Sequence, residues 1–203
     1  MDLLIATQNQ GKLAEYKAIF ADLSVRVVTL ADVGLDKLDV EETGTTFTAN
    51  AELKARAYAA ASGLTSLADD SGLCVDALDG RPGVYSARYA GEGATDADRR
   101  AKLLRELADK PNDERGAYFA CAIVVYDPLT DTAHDVMGRL DGTIASAESG
   151  GPHGFGYDAL FIPDGYTVTL ADIPPDEKNT ISHRGRAAQL ARPVIDKLAS
   201  NRR

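Results

Sequence analysis

The chain has only two cysteines, Cys74 and Cys121, in 203 residues. That count excludes a disulfide scaffold and any cysteine-rich zinc site. Both sit among Leu, Val, Ala and Ile, where small buried hydrophobes belong. No apolar run approaches the ~20 residues that a membrane span needs, and Met1-Asp2-Leu3 lacks the basic start of a signal peptide. Positive charge is also short: 22 Lys and Arg stand against 31 Asp and Glu, a formal net charge of −9. Long nucleic acids are held by basic surfaces that release counterions, so no nucleic-acid polymer is expected as a partner. There is no G-x-S-x-G elbow for serine-hydrolase chemistry. His134 and His153 belong to no Cys/His cluster at zinc-ligand spacing. What remains is expected to be a cytoplasmic protein. It can hold an anionic small molecule where a few cations are focused in one pocket.

What is present supports a packed core. Hydrophobic residues make up 44%, enough for one domain over residues 1–203 with two lobes. Asp2 to Thr7 reads as a buried strand and Leu13, Tyr16, Ile19/Phe20 and Leu23 as one helix face. Val25 to Leu30 reads as a second strand, which completes a βαβ opening. An Ala-rich helix is expected from Phe47 to Ser62, closed by Gly63. Strands follow around Ser66–Asp69 and Cys74–Leu78, then a helix from Asp96 to about Asp109. Ala117–Tyr126 and Ala133–Leu140 read as long strands, Leu160 to Pro163 as a short one, and the tail from Asp176 as helical behind Pro174-Pro175. The expected fold class is α/β: one mixed β-sheet with flanking helices, in two lobes around a central cleft.

Five stretches carry candidate chemistry. Thr7-Gln8-Asn9-Gln10-Gly11-Lys12 turns from strand to helix, where backbone N–H groups, the helix dipole and Lys12 attract an anion. It is not a Walker A loop, because the first glycine is absent and Leu13 follows the lysine. Glu41-Glu42-Thr43-Gly44-Thr45 precedes Asn50 and Lys54, which are four apart on one helix face. Adjacent Glu41 and Glu42 point to opposite sides of an extended segment, so one of them faces the site. Asp69-Asp70 ends an apolar run, and a carboxylate there suits a hard divalent metal or a water to be deprotonated. An Asx-type turn completed by Ser71 and Gly72 is the structural alternative. Gly154-Phe155-Gly156-Tyr157-Asp158 combines close backbone approach with an aromatic surface for a flat ring. Lys178, His183 and Arg184 concentrate donors in an otherwise acidic chain.

In this order the stretches resemble the inosine/xanthosine triphosphate pyrophosphatases, a Ham1-like family that hydrolyses non-canonical purine nucleoside triphosphates. The resemblance runs nearly end to end. It takes in Ala6 to Lys12, Glu41 to Phe47, Asn50 to Ala57, Ala68 to Leu73, Gly83 to Tyr89, Gly154 to Asp158 and Glu177 to Gly185. It implies that Thr7, Gln8, Asn9, Gln10, Gly11 and Lys12, helped by Lys54, hold the triphosphate. It implies that Glu41 and Asp70 hold Mg²⁺, that Asp70 is also the catalytic base, and that Ser71 touches substrate. Phe155, Gly156, Tyr157, Asp158, Lys178, His183 and Arg184 are implied as the pocket for a purine with an oxygen at C6. A homodimer is implied as well. The chain departs from the common pattern at His153, where glycine is usual, and at Ala159, where proline is usual.

The chemistry implied is removal of ITP, dITP and XTP from the nucleotide pool as monophosphate and pyrophosphate. Water attacks the α-phosphorus with assistance from Mg²⁺. The alternative is a regulatory module that holds the nucleotide without cleaving it. Glu41 and Asp70 argue against that module, because binding alone does not need paired carboxylates.

Overall fold

The computed structural model describes residues 1–202. It has an α/β fold built on one six-stranded mixed sheet of order β2-β1-β3-β4-β5-β6. The strands are β1 (Asp2–Ile5), β2 (Arg26–Thr29), β3 (Thr65–Val75), β4 (Gly116–Asp127), β5 (Thr132–Ile144) and β6 (Phe161–Pro163). The helices are α1 (Gln10–Ile19), α2 (Phe47–Ser62), α3 (Asp96–Glu106), α4 (Pro175–Ile181) and α5 (His183–Ser200). Among the described residues, no helix is long and apolar enough to cross a membrane. The chain divides into two compact units: residues 1–70, 121–138 and 184–203, and residues 71–120 and 139–183.

The first unit opens with the expected βαβ: β1 pairs in parallel with both β2 and β3. Period-two alternation splits its apolar side chains between two faces. Leu3, Ile5, Leu67, Cys121 and Ile123 pack with Tyr16, Ile19 and Phe20 of α1 and Ala187, Ala191 and Ile195 of α5. Leu4, Ala6, Ala68, Ala122 and Val124 pack instead with Ala51, Ala55 and Tyr58 of α2. Small residues on α2 let it lie close to the strands. Thr46 starts α2 by accepting the Ala49 N–H at 3.1 Å, and Gly63 ends it in the left-handed region at φ 71°.

The second unit has its own core of Leu73, Val75, Leu103, Leu107, Phe119, Leu140, Leu160, Phe161 and Leu170. A capping box between Thr95 and Asp98 starts α3. Buried Arg115 donates to the carbonyls of Leu107 at 2.7 Å and Lys110 at 3.0 Å just beyond the end of that helix. Those bonds satisfy acceptors that the helix leaves orphaned.

Two elements differ from the sequence reading. Ser66–Asp69 and Cys74–Val75 belong to one 11-residue strand, β3, while Asp76–Leu78 forms a 3-10 turn, so Asp69 and Asp70 sit mid-strand and not at a strand end. The tail is two helices, because Ser182 takes an extended conformation at ψ 157° between α4 and α5.

Candidate active site

In the first unit, alternation along β3 sends its two central carboxylates to opposite faces. Asp69 continues the Leu67 face toward α1 and α5. Its Oδ2 lies 2.9 Å from Lys12 Nζ and 3.6 Å from an Arg184 guanidinium nitrogen, and it accepts the Cys121 S–H at 3.6 Å. Arg184 is itself buried and gives its other arm to Glu15 at 2.5 Å. Burial alone would raise the Asp69 pKa. Lys12, Arg184 and Lys54 outweigh it and hold the carboxyl well below the ordinary carboxylate range. Burial dominates at Cys121, whose thiol is pushed up to about 12.

Asp70 continues the Ala68 face toward α2. Its Oδ2 accepts the Asn50 amide at 3.0 Å, while Asn50 Oδ1 accepts the Gly44 N–H at 2.8 Å. One turn along the same helix face, Lys54 pairs with Glu42. Burial pushes the Asp70 carboxyl up, and the Glu42 charge adds to it, against Lys54 and the Asn50 amide, which pull it down. Lys54 loses some basicity to burial, but the negative charges of Asp69, Glu42 and Asp70 raise its pKa overall. The arrangement is two mutually repelling carboxylates with one lysine between them, in a largely desolvated setting.

The turn from strand to helix forms as expected at the start of α1. The Asn9 side chain accepts the Lys12 N–H at 3.0 Å, and Thr7 Oγ1 accepts the Asn9 N–H at 3.2 Å. Gln8 ties the turn to the Leu38 carbonyl at 2.9 Å, and Gln10 is exposed beside Gly11.

In the second unit, Phe155 is half-buried above a set of fixed partners. Asp158 Oδ2 accepts the Phe155 N–H at 2.9 Å and pairs with Lys178 Nζ at 2.6 Å, and Lys178 lies 5.3 Å from the Phe155 ring centroid. Gly156 is held through its backbone by Asp96 and Arg100. His183 is buried with its ring stacked on Phe119, 4.6 Å between centroids and 10° between planes. Ser71 is half-buried within β3.

Three placements concern residues singled out from the sequence. Glu41 is exposed, and its neighbour Glu42 is the carboxylate that meets Lys54 and Asp70's field. The Arg184 guanidinium is turned to Glu15 and Asp69. Tyr157 is a core side chain whose hydroxyl donates to the Ser86 carbonyl at 2.9 Å. Sequence reasoning passed over Glu15, and it named Asp69 only beside Asp70 without giving it partners. The signal for Asp69 was available: a carboxylate two residues beyond Leu67 on a buried face needs cations, and Lys12 and Arg184 begin the two helices that cover that face.

The fold is α/β, and its first unit gathers Lys12, Lys54 and Arg184 around two adjacent buried carboxylates, Asp69 and Asp70. The Ham1 family model matches residues 3–194, and the chain belongs to that family. It is 45% identical over 185 residues to a dITP/XTP pyrophosphatase of Oceanobacillus iheyensis, covering 91% of this chain and 93% of that protein. It is 46% identical to the dITP/XTP pyrophosphatase of Streptomyces coelicolor, over 97% of this chain and 98% of that one. Among solved structures, a HAM1 protein from Coxiella burnetii superposes with a TM-score of 0.87 at 40% identity. That likeness covers 97% of this chain and 99% of the other.

Proposed function

We infer that this chain is a nucleoside-triphosphate pyrophosphatase that hydrolyses dITP and XTP, with ITP, to the monophosphate and pyrophosphate. Near-full-length similarity to dITP/XTP pyrophosphatases supports the reaction. The observation that carries its mechanism is the cluster of Glu42, Lys54, Asn50 and Asp70 on one face of α2 and β3.

A triphosphate brings about four negative charges to a chain of net charge −9, so neutralisation has to be local. Lys12 and Lys54, with the positive end of α1, would receive the phosphates. Glu42 and Asp70 fit Mg²⁺: they are hard oxygen donors whose mutual repulsion a cation would relieve. Among the described residues, no group of three or more His, Cys, Asp or Glu could hold a metal alone, so phosphate oxygens and water would complete its shell. When bound, Mg²⁺ would supply positive charge that offsets what develops on the phosphates.

Asp70 is the base in this reading. Its burial raises its proton affinity toward the range where a carboxyl takes a proton from water effectively. The water oxygen bonds to the α-phosphorus, its proton passes to the Asp70 carboxylate, and the α–β anhydride bond breaks. Lys12 and Lys54 stabilise the charge that leaves with pyrophosphate. Asn50 keeps Asp70 oriented through the 3.0 Å amide contact.

In this reading Phe155 offers the purine a stacking surface, with Lys178 beside its ring and His183 as donors for a C6 oxygen. An adenine amino group would face those donors with another donor, which costs orders of magnitude in discrimination. Ser71 and the backbone at Gly156 complete the contacts. The working form is a cytoplasmic homodimer in this proposal.

The test is to incubate purified protein with dITP, XTP, GTP and ATP, with Mg²⁺ or EDTA, alongside Asp70→Asn. Monophosphate and pyrophosphate from dITP and XTP, lost with EDTA and in the variant, are expected. Tight dITP binding without turnover in any divalent metal would overturn hydrolysis in favour of a regulatory module.

A further inference from the structure

We propose that Asp96 and Arg100 of α3 are positioning residues that set substrate affinity by clamping the backbone of Gly156, the residue that follows Phe155. The inference rests on the reading of Phe155 as the surface under the base. Asp96 and Arg100 are four apart and share one face of α3. Both reach the same residue, 60 and 56 positions further along: Asp96 Oδ2 accepts the Gly156 N–H at 2.7 Å, and Arg100 Nη1 donates to the Gly156 carbonyl at 2.8 Å. One helix face thus satisfies both polar groups of one backbone residue with charged partners. Such bonds are shorter and stronger than neutral ones.

The clamp has a counterpart on the other side of the ring. The Phe155 N–H is fixed by Asp158 at 2.9 Å, and Asp158 is fixed by Lys178 at 2.6 Å. Both peptide groups that flank Phe155 therefore end on carboxylates, which fixes its φ and ψ and the direction of its Cα–Cβ bond. Gly154 supports the same geometry: its φ is +79°, and a Cβ there would come within 2.2 Å of Asp158 Oδ2.

The anchors are anchored in turn. Asp96 pairs with Arg99, and Arg100 Nε lies 2.9 Å from a Glu148 oxygen. Arg99 also donates to the Ala87 and Ala94 carbonyls, each at 2.7 Å. The capping box of Thr95 and Asp98 begins α3 without using either clamp residue. This is more than a half-buried turn needs for stability. It suits a ring that has to be in place before a flat ligand arrives, because a preorganised surface avoids an ordering cost on binding.

The test measures kcat and KM for dITP in Asp96→Ala, Asp96→Asn, Arg100→Met and Phe155→Ala. It also follows amide exchange at Gly156. Stacking acts alike on ground and transition states, so its loss raises KM and spares kcat. Asp96→Ala and Arg100→Met are expected to raise KM about tenfold with kcat changed less than about twofold. Asp96→Asn, which keeps an acceptor, should recover most of that, and Gly156 exchange should quicken in Asp96→Ala. An unchanged KM in both clamp variants beside a raised KM in Phe155→Ala would overturn the clamp alone. An unchanged KM in Phe155→Ala would overturn the reading of the ring, and the clamp with it. A parallel fall in kcat and stability that Asp96→Asn does not rescue would show a structural role only. Should Asp96→Ala fail to fold, Arg100→Met and its KM decide.

Discussion

Glu41 and Glu42 show how much one position matters. In an extended segment neighbouring side chains diverge, so alternation says that one of the pair faces the site without saying which. Lys54 pairs with Glu42 while Glu41 is exposed, and on that contact we propose Glu42 as the one. Glu42→Gln is expected to cut kcat/KM by at least about a hundredfold, since it removes a charge from the proposed Mg²⁺ site. Glu41→Gln should stay within about twofold of the parent. Equal losses in the two would contradict the assignment. Asp69 gives a different test. It is fully buried between Lys12 and Arg184, and removing one charge from such a group leaves the others uncompensated. Asp69→Asn is expected to cost about 3 kcal/mol of stability by denaturant unfolding. A cost within experimental error would mean that the two cations find other partners.

Elements were legible where local chemistry and tertiary packing agree. The opening βαβ and α2 were, since their apolar spacing, caps and turn residues all point one way. Gly63 illustrates this: it closes α2 at φ 71° with no atom within 4 Å of where a Cβ would stand. Gly63→Ala should therefore cost about 1 kcal/mol through backbone strain alone, with kcat and KM unchanged. A loss of activity would show that α2 has shifted with its cap. β3 was misread because Asp69-Asp70-Ser71-Gly72 looks like a turn to local propensity. The ion pairs and amide contact that make a buried strand of those residues come from α1, α2 and α5. Ser182 divided the tail for a similar reason, since two consecutive helical patterns look continuous until one residue leaves the helical region.

For the whole molecule, composition set the frame and the ordered stretches supplied the function. An acidic chain with few cations can hold a triphosphate if those cations converge. Lys12 and Lys54 both act on Asp69, although 42 positions of sequence separate them. That convergence was visible only through the resemblance, whereas the glycine-flanked Phe155 was read from its own residues as a surface for a flat ring. The clamp from α3 was not legible at all, because backbone hydrogen bonds from distant side chains leave no local pattern. The central claim is attack of water on the α-phosphorus, and it is tested most directly by turnover of dITP in ¹⁸O-labelled water. The account predicts one labelled oxygen in the monophosphate and none in pyrophosphate. Label in pyrophosphate, or release of orthophosphate, would contradict it.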